Sequence, residues 1–210
     1  MVYSVKEIFY TLQGEGGQAG RPAVFCRFAG CNLWTGLDKD RAKAICQFCD
    51  TDFVGTDGEN GGKFKTAEDL VAAVMAQWHG EGGKPLVVCT GGEPLLQLNA
   101  PLIAAFHTAG IEVAVESNGT IQPPEGIDWL CISPKIGSEM IVAKGQELKL
   151  VFPQEGGNPT QFEHLDFEHF FLQPMDSDAQ AENTVKAVAY CKAHPQWRLS
   201  LQTHKYIDIP

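Results

Sequence analysis

The 210 residues are 44% hydrophobic and 20% charged, the mix of a globular chain long enough to bury one sizeable core. A net charge of −10 argues against broad, non-specific binding to nucleic acid, and it leaves room for a small anionic substrate held by a few local cations. No apolar run approaches the roughly 18–20 residues of a membrane span, MVYSVKEIFY reads as neither signal nor transit peptide, and seven cysteines without an export signal suit a reducing cytoplasm better than a disulfide framework.

Tyr3–Tyr10 alternates loosely and suits an edge strand; the glycine-rich TLQGEGGQAGRP after it reads as a loop. Pro22–Phe28 reads as a strand that delivers Arg27 just ahead of a cysteine-bearing loop. An arginine in an apolar strand needs a partner. That partner is either a structural counter-ion or a substrate carboxylate, which the guanidinium fork matches with two bonds. The stretch Gly30–Asp52 then holds Cys31, Cys46 and Cys49, spaced C-x14-C-x2-C. Three thiolates are one short of the four that close a structural zinc site or complete the protein ligation of an iron–sulfur cluster. Such a site either borrows a fourth ligand or leaves one metal position open, as catalytic centres do. Cys26, Cys89, Cys131 and Cys191 lie in strand-like or helical patterns and read as buried small hydrophobes.

The glycine- and acid-rich stretch from Thr51 to Lys65 reads as a surface loop. Thr66, with Asp69 three residues on, resembles a capping box. Behind it Ala67, Leu70, Val71, Val74, Met75 and Trp78 form one apolar stripe at helical spacing. LVVCT reads as a buried parallel strand that ends in TGGEP. Pro94 suits the first position of a helix carrying Leu95, Leu98, Leu102 and Phe106, which stops at Gly110. Strands are expected at Glu112–Ser117, Trp129–Pro134, Glu147–Pro153 and His169–Pro174. A helix over Asp178–His194 with Ala181, Val185, Val188 and Ala189 inward follows, then a last strand, Arg198–Thr203. The alternation predicts one α/β domain over residues 1–210 with a largely parallel sheet. Helices are missing after several strands, so the expected form is a partial, open (β/α) barrel with fewer helices than strands. Polar residues recur at the carboxyl ends of these strands: Thr90 and Glu93, Ser117 and Asn118, Ser133 and Lys135, Gln173. Ligands bind at that edge in parallel α/β folds.

The cysteine loop after the first core strand, together with TGGEP after the second, resembles the radical S-adenosylmethionine (SAM) superfamily. Adding LQGEG, Cys49-Asp50-Thr51, ESNGT and ISPK, nearly the whole chain is similar to the 7-carboxy-7-deazaguanine synthases. One departure is the spacing: the superfamily usually has C-x3-C-x2-C, whereas Asn32–Ile45 here insert an extra loop or short helix. The resemblance implies that Cys31, Cys46 and Cys49 ligate a [4Fe–4S] cluster whose fourth iron takes SAM. It implies conversion of 6-carboxy-5,6,7,8-tetrahydropterin to 7-carboxy-7-deazaguanine with loss of ammonia, on the way to queuosine and other deazapurines. The hard chemistry belongs to the cofactors, and the protein orients the reactants and excludes side reactions.

The same resemblance distributes roles. Gly92 and Glu93 meet the SAM amino group; Ser117, Asn118, Ser133, Pro134 and Lys135 line its ribose and carboxylate, and Gln173 adds a contact. Arg27 takes the substrate carboxylate. Leu12, Gln13, Gly14 and Glu15 bind the pterin edge, and Thr90 lies between the SAM and substrate sides. His204 and the terminal Pro210, read as closing the chain tightly after a strand, are weaker substrate candidates. Thr51 is expected to hold Mg²⁺, which commonly has few protein ligands and fills its octahedron with water and substrate oxygens. The implied partners are the pterin and an electron donor such as flavodoxin or ferredoxin, and the implied assembly is a homodimer. Two other readings stand beside this one. A glycyl-radical activating enzyme shares the cluster loop but needs a protein substrate, and a non-catalytic zinc-binding module would be colourless.

Overall fold

A single row of nine strands carries everything else in the chain. The computed structural model describes residues 1–210. In chain order the elements are β1 (Tyr3–Leu12), β2 (Pro22–Phe28), β3 (Gly62–Phe64), α1 (Ala67–Ala76), β4 (Leu86–Gly91), α2 (Ala100–Thr108), β5 (Glu112–Ser117), β6 (Trp129–Ile132), β7 (Lys144–Phe152), β8 (Asp166–Pro174), α3 (Gln180–Ala193), β9 (Trp197–Leu199) and α4 (Thr203–Ile207). Their order across the sheet is β3-β1-β2-β4-β5-β6-β7-β8-β9. From β2 to β9 every neighbour pairs parallel, and only the β1 pairings with β2 and β3 are antiparallel. The two end strands do not pair with each other, so the barrel stays open, with four α-helices against nine strands. No helix is long and apolar enough to cross a membrane.

Alternation along the strands separates two faces. Val24, Cys26 and Phe28 of β2, Val87 and Cys89 of β4, Val113 and Val115 of β5, and Leu148 and Leu150 of β7 join the main core with α1 and α2. The opposite face begins with a small apolar plug of Ala23, Leu86, Val88 and Ala114. Beyond the plug the same face carries Arg27, Thr90, Glu116 and Lys149, which line a cavity. Cys26, Cys89 and Cys131 are buried, as expected of small hydrophobes, and Cys191 is half-buried.

α1 starts where its cap predicts: Thr66 Oγ1 accepts from the Asp69 N–H at 3.1 Å, and Ala67, Leu70, Val71 and Val74 are buried. Four elements differ from the sequence reading. β1 is not the edge strand, because Gly62–Phe64, read as loop, pairs outside it. The helix expected from Pro94 is a short 3-10 turn, Pro94–Leu96, followed by α2, which Asn99 caps through the Leu102 N–H. α3 buries Asn183 and Ala187 while Val185 and Val188 face out. Its packed side carries Asn183, whose amide donates to the Met175 carbonyl at 3.0 Å. Finally, β9 ends at Leu199 and the chain runs on into α4 instead of extending as strand to Thr203. The insertion between Cys31 and Cys46 is an irregular loop that contains one 3-10 turn, Asp38–Lys43, where Arg41 lies 4.0 Å over the Trp34 ring.

Candidate active site

The inner face of the sheet encloses a cavity of about 570 Å³. Its walls bring together most of the residues singled out from the sequence. Leu12, Gln13, Gly14, Glu15, Arg27, Thr90, His204 and Pro210 line it, as do Thr51 and the pair Cys46 and Cys49. So do Gly92, Ser117, Asn118, Ser133, Lys135 and Gln173. Cys31, Glu93 and Pro134 are not among the lining residues, although each neighbours one that is or packs on it.

Strand periodicity explains Arg27. It follows Ala23 and Phe25 on the inner face of β2 and sits in register with Thr90 of β4. Its Nε donates to Glu7 Oε1 at 2.7 Å, so the expected counter-ion is present. The two terminal nitrogens of the guanidinium make no protein hydrogen bond and remain for a ligand.

The end of the cavity near Gln13–Glu15 is charged. Gln13 Nε2 donates to Glu116 Oε1 at 3.1 Å, and Gln13 Oε1 accepts from the Glu15 N–H at 3.1 Å. Lys149 donates to Glu15 and, at 3.3 Å, to Glu116 Oε1. Gln202 holds the other Glu15 oxygen at 3.0 Å. Burial alone would lower the Lys149 pKa; the charges of Glu116 and Glu15 outweigh it and push it well above its ordinary value. Burial alone would raise Glu15; the Lys149 charge and hydrogen bond prevail and lower it. The turn after β9 closes this end. Thr203 donates through both its N–H and its hydroxyl to the Gly14 carbonyl, at 2.9 and 2.8 Å. The His204 ring packs so closely that a Cβ on residue 14 would lie 2.2 Å from Nδ1. The Pro210 carbonyl accepts from Thr11 Oγ1 at 2.9 Å.

The opposite end is the thiol loop resting on the turn after β4. A side chain at position 92 would put its Cβ 2.2 Å from the Gly30 carbonyl and 2.7 Å from Cys31 Cβ, so only glycine allows the contact. Glu93 is fully buried. Its carboxylate accepts from the Leu95 N–H at 3.0 Å, Ser117 Oγ at 2.9 Å and the Asn118 N–H at 2.8 Å. Burial nonetheless raises its pKa. Lys135 turns back onto the Ser133 hydroxyl and carbonyl at 2.6 and 2.7 Å, and burial lowers its pKa. A hydrogen bond from Cys46 lowers the Cys49 pKa and raises that of Cys46, whereas burial raises Cys31. Gln173 accepts from Ser200 Oγ at 2.9 Å. Thr51 Oγ1 is 3.5 Å from Asp50 Oδ1.

No three or more His, Cys, Asp or Glu side chains converge as the ligands of one metal ion. A cluster spreads its thiolates over different irons, so its ligands do not meet at a point. Three cysteines from one loop, the neighbouring half-buried cation of Lys135 and a glycine that lets the next turn approach Cys31 fit a cluster that takes its last ligand from a small molecule.

Several wall residues escaped the sequence reading: Glu116, Lys149, Gln202, Asp50 and Asp176 among them. A signal existed for two of them. Glu116 in VAVES and Lys149 in ELKLV are charges at alternate positions of otherwise apolar strands.

An open, mostly parallel barrel with a three-thiol loop packed on a GGE turn at the strand ends defines a radical SAM enzyme. No family model matches the chain. Two curated proteins are similar over the full length of both chains: the 7-carboxy-7-deazaguanine synthases of Caulobacter vibrioides, 67% identical, and Bordetella pertussis, 64% identical. The crystal structure of QueE from Escherichia coli superposes with a TM-score of 0.74 at 27% identity, covering 97% of this chain and 95% of that one. The chain belongs to the 7-carboxy-7-deazaguanine synthase family.

Proposed function

We propose that this chain converts 6-carboxy-5,6,7,8-tetrahydropterin to 7-carboxy-7-deazaguanine with release of ammonia. As a member of its family it is a radical SAM lyase of 7-deazapurine biosynthesis that works with a [4Fe–4S] cluster and SAM. One observation carries the substrate reading. A single cavity joins Cys46, Cys49 and strand-end polar residues to an end whose wall combines Arg27 with Gln13, Glu15 and Thr90. A carboxylated ring with N–H donors on its far edge matches that polarity: cation for the carboxylate, anionic acceptors for the donors.

In this reading Cys31, Cys46 and Cys49 hold the cluster. When bound, the cluster and SAM together supply the radical that opens the substrate to rearrangement. The Gly92 carbonyl and Glu93 accept from the SAM ammonium, since an ionised carboxylate with three donors keeps acceptor capacity. Lys135 balances the SAM carboxylate, with Ser117, Asn118, Ser133, Pro134 and Gln173 around its remaining polar groups. Arg27 orients the substrate carboxylate with the guanidinium nitrogens that Glu7 leaves free. Leu12, Gln13, Gly14 and Glu15 read the ring edge, Thr90 separates the two ligands, and His204 and Pro210 close the substrate end. Thr51 holds Mg²⁺ against the substrate carboxylate. The 210 residues act as one catalytic domain, as a homodimer in the cytoplasm, reduced by a flavodoxin or ferredoxin.

The test is an anaerobic assay of reduced, cluster-loaded protein with SAM and the carboxypterin, read by product mass. A 7-carboxy-7-deazaguanine product supports the reading; an intact cluster that yields no deazapurine overturns it.

A further inference from the structure

Lys149 is the most enclosed cation of the cavity wall, its side chain 4% exposed. Alternation along β7 turns it inward while Leu148 and Leu150 enter the main core. Its hydrogen-bond partners are two carboxylates from different elements: Glu15, from the loop after β1, and Glu116, from β5. The other titratable groups facing it have separate engagements. Glu147, two residues earlier on the same strand, accepts from the Gly17 N–H at 2.9 Å and from Trp129 Nε1 at 3.1 Å. The Cys131 thiol, from β6, donates to Glu147 at 3.5 Å. Lys135, after β6, is bonded to Ser133. Lys149 therefore hydrogen-bonds to Glu15 and Glu116 alone.

The two carboxylates keep acceptor capacity toward the cavity. Glu116 receives both Gln13 and Lys149 on Oε1, so Oε2 has no protein partner. Glu15 spends one oxygen on Lys149 and the other on Gln202, with lone pairs to spare. Both approach one nitrogen. Without a cation between them, two carboxylates this close share a proton near neutral pH, and the protonated member donates where it should accept.

We propose that Lys149 is a positioning residue for substrate recognition: it holds Glu15 and Glu116 as a pair of ionised acceptors, and so selects a ring edge that presents adjacent N–H donors. The proposal rests on the pterin reading of the cavity. In that ligand the selected edge is the amino-pyrimidinone side, opposite the carboxylate that Arg27 meets. Lys149 acts through the charge and orientation of the two glutamates.

The experiment is anaerobic equilibrium binding of the carboxypterin to cluster-loaded protein with SAM and no reductant, between about pH 6 and 9. An analogue lacking the 2-amino group is measured beside it. The wild type should bind with a nearly flat pH profile and discriminate against the analogue. Lys149→Met should weaken binding about tenfold or more at neutral pH and recover as the shared proton leaves at higher pH. Lys149→Arg should keep the flat profile. Where Lys149→Met does not fold, the double variant K149Q/E116Q removes one charge of each sign. It should bind with a flat profile and lose discrimination. Undiminished affinity in Lys149→Met, equal weakening at every pH, or full discrimination in the double variant each overturns the proposal. Wild-type protein that does not bind the pterin overturns the substrate reading and this proposal with it.

Discussion

The buried carboxylate of Glu93 accepts from the backbone N–H of Asn118 at 2.8 Å, and this bond ties the turn after β4 to the end of β5. The same group takes Ser117 Oγ and the Leu95 N–H. An acid read from the sequence as a ligand contact is thus also the post that fixes two strand ends relative to each other. Glu93→Ala leaves three buried donors without an acceptor, at about 1–3 kcal/mol for each that finds no water. The expected outcome is a clear fall in melting temperature together with loss of SAM binding, measured by thermal unfolding and by equilibrium dialysis. Unchanged SAM affinity at lowered stability would reduce Glu93 to a structural role.

Gly92→Ala tests the contact between the thiol loop and that turn. The added Cβ meets backbone at Gly30 and the Cys31 Cβ, neither of which is the far end of a flexible side chain. The loop must shift to admit it. Iron content and visible absorbance after anaerobic reconstitution should fall severalfold relative to wild type, because the cysteines lose their common placement. Full cluster incorporation would show that the loop moves without consequence.

The strand ends were legible because turn signals and polar residues coincide there: TGGEP, ESNGT and ISPK each follow an apolar run. At the charged end of the cavity LQGEG points to Gln13 and Glu15, whereas Glu116 and Lys149 carry no such signal. ELKLV and VAVES look like continuous strand cores unless alternation is applied residue by residue, which puts Lys149 and Glu116 inside the barrel. β3 was lost in a glycine-rich stretch because three residues are too few to show a period. The inward side of α3 differs from the expectation because Ala181, Val185, Val188 and Ala189 form an apolar stripe that the structure leaves exposed. The packed side carries Asn183, bonded to the Met175 carbonyl, together with Ala187, Tyr190 and Cys191 against the core.

Acid stability should report the Glu15–Lys149 pair. Glu15 is lowered in the folded chain from 4.5 to about 2. A carboxyl whose folded pKa is depressed contributes stability that is fully present above its unfolded pKa and is lost as pH falls through its folded pKa. Denaturant midpoints should therefore decline as pH falls from about 4.5 toward about 2. Glu15→Gln should flatten that limb while lowering stability at neutral pH. A variant with the wild-type slope would place the acid sensitivity elsewhere.

Magnesium dependence tests Thr51. Thr51 lines the cavity, and its hydroxyl lies 3.5 Å from Asp50 Oδ1. A hydroxyl ligand contributes little binding energy by itself, so the ion should be held weakly and exchange readily. Treatment with a chelator should lower turnover with the cluster spectrum intact, and added Mg²⁺ should restore it. Thr51→Ala should shift the Mg²⁺ concentration needed for half-maximal rate upward by about tenfold. Turnover indifferent to chelation would remove the ion from the site.

Lys205 on α4 joins three parts that the chain keeps far apart in sequence. Its Nζ holds Asp50 of the thiol loop at 2.9 Å, Gln202 at 3.1 Å, and Asp176 just past β8. All three acceptors line the cavity. Half-exposed ion pairs contribute about 0–1 kcal/mol each, so Lys205→Ala should hardly move the melting temperature. Its effect should be local. Asp50 follows Cys49 directly, and α4 carries His204 against Gly14. Releasing Lys205 loosens the thiol loop and the substrate-side turn together. The expected outcome is a KM for the pterin raised severalfold and faster bleaching of the cluster by a chelator, with Lys205→Arg close to wild type. A change in KM without faster bleaching would mean that Lys205 serves the substrate side alone.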